Sequence, residues 1–101
     1  MLALVPDDVW NDPTKTFLEP SCGNGNFVVA IIQKKINHGS TVEQAIRTTF
    51  GVDILLDNIM ECRSRIFVEF LMFVDEPGLM MQIVEENIKH GDFLAADIFT
   101  V

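Results

Sequence analysis

The sequence predicts an α/β fold, a short parallel sheet with flanking helices, and three observations carry that reading. Three short apolar runs each lead to an acid, at Glu19, Asp53 and Asp92. Segments with apolar residues at helical spacing separate those runs. The first run passes directly into a turn that carries two glycines, Gly23 and Gly25. Strands that alternate with helices imply crossover connections, which are right-handed almost without exception and leave the strands parallel.

Taken in order, Asp7 to Thr16 is a polar opening segment, Thr16 to Glu19 a short buried strand and Pro20 to Gly25 the turn. Asn26 to Ile36 is a helix that buries Phe27, Val28, Ala30, Ile31 and Ile32, and Asn37-His38-Gly39 ends it. Ser40 or Thr41 caps the next helix, with Glu43 or Gln44 as the reciprocal partner, and that helix ends near Thr49. Phe50 to Ile54 is a second strand. Asp57 caps a long helix from about Asn58 to Val74, and Pro77-Gly78 breaks the pattern. Leu79 to Glu86 reads as a short helix or a turn-rich connection, and Asn87 to Phe93 as a third strand leading into an acidic loop. Ile98 to Val101 is apolar enough to dock.

At 101 residues, 49% of them hydrophobic, the chain has material for one domain over residues 1–101 with an ample core. Its apolar stretches fall short of the ~18 residues of a membrane span. The N-terminus has no basic segment ahead of its short apolar run, so we expect no signal peptide, no membrane association and a cytoplasmic location. Seven Lys and Arg against fifteen Asp and Glu give a formal charge of −8, the wrong sign for neutralising phosphates, and independent DNA binding is not expected. Cys22 and Cys62 have no second Cys or nearby His at ligand spacing, which argues against a zinc site and a disulfide framework and for reduced thiols. His38 and His90 have no partner assignable from the sequence and take surface or loop-end roles by default.

The carboxyl ends of parallel strands share one edge, so Glu19, Asp53 and Asp92 can converge on one ligand there. Gly23 and Gly25 can take positive φ and let backbone approach that ligand closely, while Glu19 can accept from an ammonium or a hydroxyl. A carboxylate such as Asp53 suits the two hydroxyls of a ribose, and Asp92 suits the exocyclic amine of an adenine.

With those residues in place, a resemblance follows. Glu-Pro-Ser-Cys-Gly-Asn-Gly-Asn-Phe from Glu19, Phe-Gly-Val-Asp-Ile from Phe50 and Asn-Ile-Lys-His-Gly-Asp-Phe-Leu from Asn87 resemble, in order and spacing, the first three motifs of the DNA amino-methyltransferases. That family modifies adenine N6 or cytosine N4 with S-adenosylmethionine. The resemblance implies a Rossmann-like methyltransferase fold and S-adenosylmethionine as cofactor. It places Glu19, Ser21, Gly23 and Gly25 at the methionine end, with Glu19 where the family more often has Asp. It places Asp53 on the ribose, Ile54 against the adenine ring, and Asp92 with Phe93 at the adenine amine. Val5-Pro6 resembles the segment that closes over the methionine carboxylate, with Val5 where the family usually has Thr.

The family performs catalysis with a further motif, Asp, Asn or Ser followed by Pro-Pro and an aromatic, which holds the amine of a flipped base. The four prolines here, Pro6, Pro13, Pro20 and Pro77, are all isolated. We therefore expect a truncated Rossmann-like fold that binds the cofactor without catalytic residues, since a sulfonium gains nothing without an oriented amine. The family's sheet places a fourth strand beside the first, so an open edge is expected at strand 1, covered in a homo-oligomer or by a complementary methyltransferase subunit. The alternative is a non-catalytic acidic interaction protein, a decoy or subunit partner, that keeps only the fold.

Overall fold

Each of the three apolar runs becomes a strand of one parallel sheet. The structure, a computed structural model, describes residues 6–92. Strands β1 (Phe17–Glu19), β2 (Thr49–Asp53) and β3 (Ile88–His90) pair in the order β1-β2-β3. Phe17 lies opposite Thr49, Glu19 and Ile88 both lie opposite Gly51, and Asp53 lies opposite His90. Side chains alternate across a strand, so Phe17, Thr49, Gly51, Asp53 and Ile88 share a face.

A short helix, α1 (Asp7–Trp10), precedes the sheet; α2 (Asn26–Asn37) and α3 (Val42–Arg47) join β1 to β2, and α4 (Leu56–Phe70) and α5 (Pro77–Asn87) join β2 to β3. Val28 and Ile32 of α2, Ile59, Cys62 and Ile66 of α4, and Val84 of α5 close around Ile88 to form the core. The expected α/β class, parallel pairing and helical flanks are all present. Among the described residues, no helix is long and apolar enough to cross a membrane.

Several boundaries differ from those expected, each for a local reason. The opening segment is not merely polar: α1 buries Trp10, 1% exposed, and stacks its ring on Phe17 at 4.6 Å between centroids. β2 lies one residue earlier than predicted, leaving Ile54 outside the sheet. Asp57 is not the cap of α4. The Asp53 carboxylate accepts the Leu55 N–H at 2.8 Å, which sets the helix start ahead of Asp57, at Leu56. That helix stops at Phe70 and tightens into a 3₁₀ turn over Leu71–Phe73, so that Leu71 and Val74 pack on the core while Met72 and Phe73 face solvent.

Pro77 starts a helix rather than breaking one: at the first position its missing N–H is not needed and its fixed φ suits the helix. Asn87 ends α5 instead of opening β3. Its Nδ2 donates to the carbonyls of Ile46 and Arg47, at 3.2 and 3.1 Å, and thereby satisfies the last turn of α3. The expected capping box is present at Thr41, whose Oγ1 accepts from Gln44 N–H while Gln44 Oε1 accepts from Thr41 N–H.

At the amino edge of the sheet, Lys35 of α2 is 3% exposed, and its Nζ donates to Thr48 O at 2.8 Å, Thr48 Oγ1 at 2.7 Å, Thr49 Oγ1 at 3.0 Å and Lys15 O at 3.4 Å. The ammonium also lies 4.6 Å from the Phe17 ring centroid. One cation therefore ties α2 to the starts of β1 and β2. None of the four oxygens is a carboxylate, so burial pushes the Lys35 pKa from 10.5 down to about 8.

Between those two values the unfolded chain keeps the proton and the native chain does not, so unfolding takes up a proton and rising pH opposes it. Thermal denaturation between pH 7 and 10.5 should show the native protein gaining stability relative to Lys35→Met as pH rises through about 8. A difference between the two proteins that stays constant with pH would contradict a desolvated ammonium.

Candidate functional site

The site is built on the turn between β1 and α2. Pro20 leaves the strand, and Cys22 N–H donates to Val52 O at 2.8 Å, which lays the turn against β2. Gly23 follows with φ +53°, a conformation that disfavours a side chain, and nothing lies within 4 Å of where its Cβ would be. Gly25, with φ +96°, is the N-cap of α2; a Cβ there would lie 2.9 Å from Cys62 Cα. The two glycines thus do different work. Gly23 leaves open space above the turn, whereas Gly25 lets the turn rest directly on α4.

Asp53 joins this turn to the end of β2. Its Oδ2 accepts the Gly23 N–H at 3.0 Å and its Oδ1 the Leu55 N–H at 2.8 Å. The Leu55 bond, with help from the Asn58 side chain, Gly23 and the His90 imidazole, holds the Asp53 carboxyl below the ordinary aspartate range against the opposing effect of burial. β3 is fastened to the same place: Gly91 N–H donates to Asp53 O, and His90 Nε2 lies 2.9 Å from Ile54 O.

Beside Asp53 is a cavity of about 500 Å³ lined by Pro20, Ser21, Asp53, Ile54, Leu55, Asn58 and Asp92. The structure thus brings Ser21, Asp53, Ile54 and Asp92 together, out of the residues singled out in the sequence. Glu19, Gly23 and Gly25 do not line the cavity. Glu19 ends β1 and its Oε1 accepts the Ser21 N–H at 3.4 Å, steadying the turn from the other side. Phe93 and Val5 fall outside the described residues.

Sequence reasoning missed Leu55 and Asn58 in the lining and His90 behind it. Asn58 reads from the sequence only as a helix start, although five residues beyond Asp53 it lies in the first turn of α4 and can reach back to that carboxylate. Ile54 and Leu55, 67% and 58% exposed, form an apolar wall over a polar floor. The two backbone N–H groups and the Asn58 side chain take three of the four lone pairs of the Asp53 carboxylate, which leaves it capacity for an incoming hydroxyl. Among the described residues no three His, Cys, Asp or Glu side chains gather as a metal site.

The different work of the glycines is measurable in chemical denaturation. Gly23→Ala should cost about 1–2 kcal/mol, the penalty of a left-handed residue. Gly25→Ala should cost a further ~1–3 kcal/mol, because its Cβ also meets the α4 backbone. Equal losses at the two positions would contradict the packing described.

No protein-family model matches the chain, and no curated protein or solved structure matches it either.

Proposed function

We propose that this chain is an S-adenosylmethionine-binding, methyltransferase-like module that supplies the cofactor site of a DNA amino-methyltransferase-type enzyme, or retains it as a remnant. The observation that supports this reading is a cavity at the carboxyl edge of a parallel sheet, where Asp53, Ile54, Asp92 and Ser21 meet. The carboxyl edge is where such sheets bind nucleotide ligands. In this reading Asp53 accepts from the ribose hydroxyls, Ile54 and Leu55 pack on the adenine, and Asp92 faces its amine. Ser21, Gly23, Gly25 and Glu19 shape the methionine end. The bound sulfonium would supply an electrophilic methyl group.

What the chain's own residues do is bind and orient. An ionised Asp53, already fixed by two N–H groups, meets the ribose without having to be immobilised first. No Pro-Pro-aromatic motif occurs within these 101 residues, so in this reading the base amine is positioned by residues outside them, for which a complementary subunit is the proposed source. The docking place for a second chain is β1. Among the described residues β2 is the one strand that pairs with it, and Leu18 on it and Phe27 at the start of α2 are exposed.

Calorimetric titration with S-adenosylmethionine and with S-adenosylhomocysteine tests the cofactor. A tenfold excess of ligand over Kd should stabilise the fold by about 1.4 kcal/mol, and Asp53→Asn should weaken binding by tenfold or more. Neither heat nor thermal shift at roughly millimolar ligand would remove the cofactor reading and leave the acidic interaction protein in its place.

The open edge has its own test. Light scattering of the purified chain should give at least twice the monomer mass, and a monomer that persists at high concentration would contradict self-pairing through β1.

A further inference from the structure

The two cysteines, forty residues apart in the chain, meet beneath the glycine turn. Cys22 lies in the turn and Cys62 in α4; both are free thiols, 4% and 0% exposed, in the same apolar cluster. Two glycines make room for them. The Gly25 N–H donates to Cys22 O at 3.0 Å, and a Cβ on Gly25 would lie 3.1 Å from Cys62 Sγ. On the sheet side, a Cβ on Gly51 would lie 2.9 Å from Cys22 Cβ. The thiols share a hydrogen bond, which holds Cys22 below the ordinary thiol pKa, while the same bond and burial push Cys62 up. The Asp53 and Glu19 carboxylates oppose the first shift, and Arg63 and Arg65 oppose the second, without reversing either.

We propose that Cys22 and Cys62 are a redox modification site, closing to a reversible intramolecular disulfide when the oxidant is a hydroperoxide. Cys22, as the thiolate, attacks a peroxide oxygen; the O–O bond breaks, Cys22 becomes a sulfenic acid, and the departing hydroxide takes up a proton as water. Cys62 then attacks the Cys22 sulfur, losing its proton as hydroxide leaves, and the S–S bond forms with release of a second water. With hydrogen peroxide the two thiols lose two electrons and two protons, and the peroxide is reduced to two waters. A dithiol reductant reverses the step. The bridge would tie the turn that carries Ser21 and Gly23 covalently to α4. The proposal does not depend on what the cavity binds.

The test is exposure of the folded protein to hydrogen peroxide, then alkylation in denaturant, intact mass measurement and peptide mapping. We expect a monomer lighter by two hydrogens, with the peptides containing Cys22 and Cys62 linked, and full return of both thiols with dithiothreitol. Cys62→Ala should stop at a Cys22 sulfenic acid that dimedone captures, and Cys22→Ala should leave Cys62 unmodified at the same dose. Folded protein that retains both alkylatable thiols, that forms only intermolecular links, or that is oxidised first at Cys62 would overturn the proposal. If a variant fails to fold by circular dichroism, the peptide linkage in the native protein decides alone.

Discussion

Asp53 stands where β2 leaves the sheet, and its two carboxylate oxygens each take a backbone N–H from a different segment, Gly23 in the first turn and Leu55 in the second. That pair of bonds ties the two segments that flank the cavity to one carboxylate. The Gly23 bond adds to that of Cys22 N–H with Val52 O in holding the turn against β2, and the Leu55 bond satisfies an N–H at the start of α4. Charge-assisted bonds of this kind are roughly twice as strong as neutral ones. A ligand arriving at the cavity therefore meets a carboxylate whose position the fold has already fixed.

The helix α2 connects this edge to the other. At its start Gly25 rests on Cys62 of α4, so closely that no side chain fits between them. At its far end Lys35 collects oxygens from the strand starts. The two anchors are of different kinds. The first is a van der Waals fit that needs the absence of an atom, and the second is a buried cation satisfied by neutral oxygens. Between them Val28 and Ile32 fill the core, so the angle of α2 to the sheet, and with it the turn above the cavity, is held at both ends.

Much of this was legible in the sequence because local rules apply locally. The alternation of apolar runs and helical periods gave the parallel sheet, and Thr41 with Gln44 marked a helix start through bonds that span only three residues. Acids at strand ends placed Asp53 and Asp92 on one edge. What escaped were roles decided across the chain. Asn87 looks like a strand residue until its amide is seen to cap α3, forty residues earlier. Lys35 looks like a solvated helix lysine, and nothing near it in sequence reveals Thr48 and Thr49 as its partners. Trp10 lies in a polar stretch that only Phe17 explains. The glycines were read as making way for a ligand, and the neighbour that Gly25 makes way for is Cys62.

The central claim is that the Asp53 carboxylate organises the edge through the Gly23 and Leu55 amides. Its most direct test is an acid titration followed by NMR, observing the Asp53 side-chain carboxyl carbon together with the two backbone amides. The account predicts that both amide resonances move with the carboxyl at one shared midpoint, displaced below the ordinary aspartate range. A Gly23 amide that stays still while Asp53 takes up its proton would contradict it.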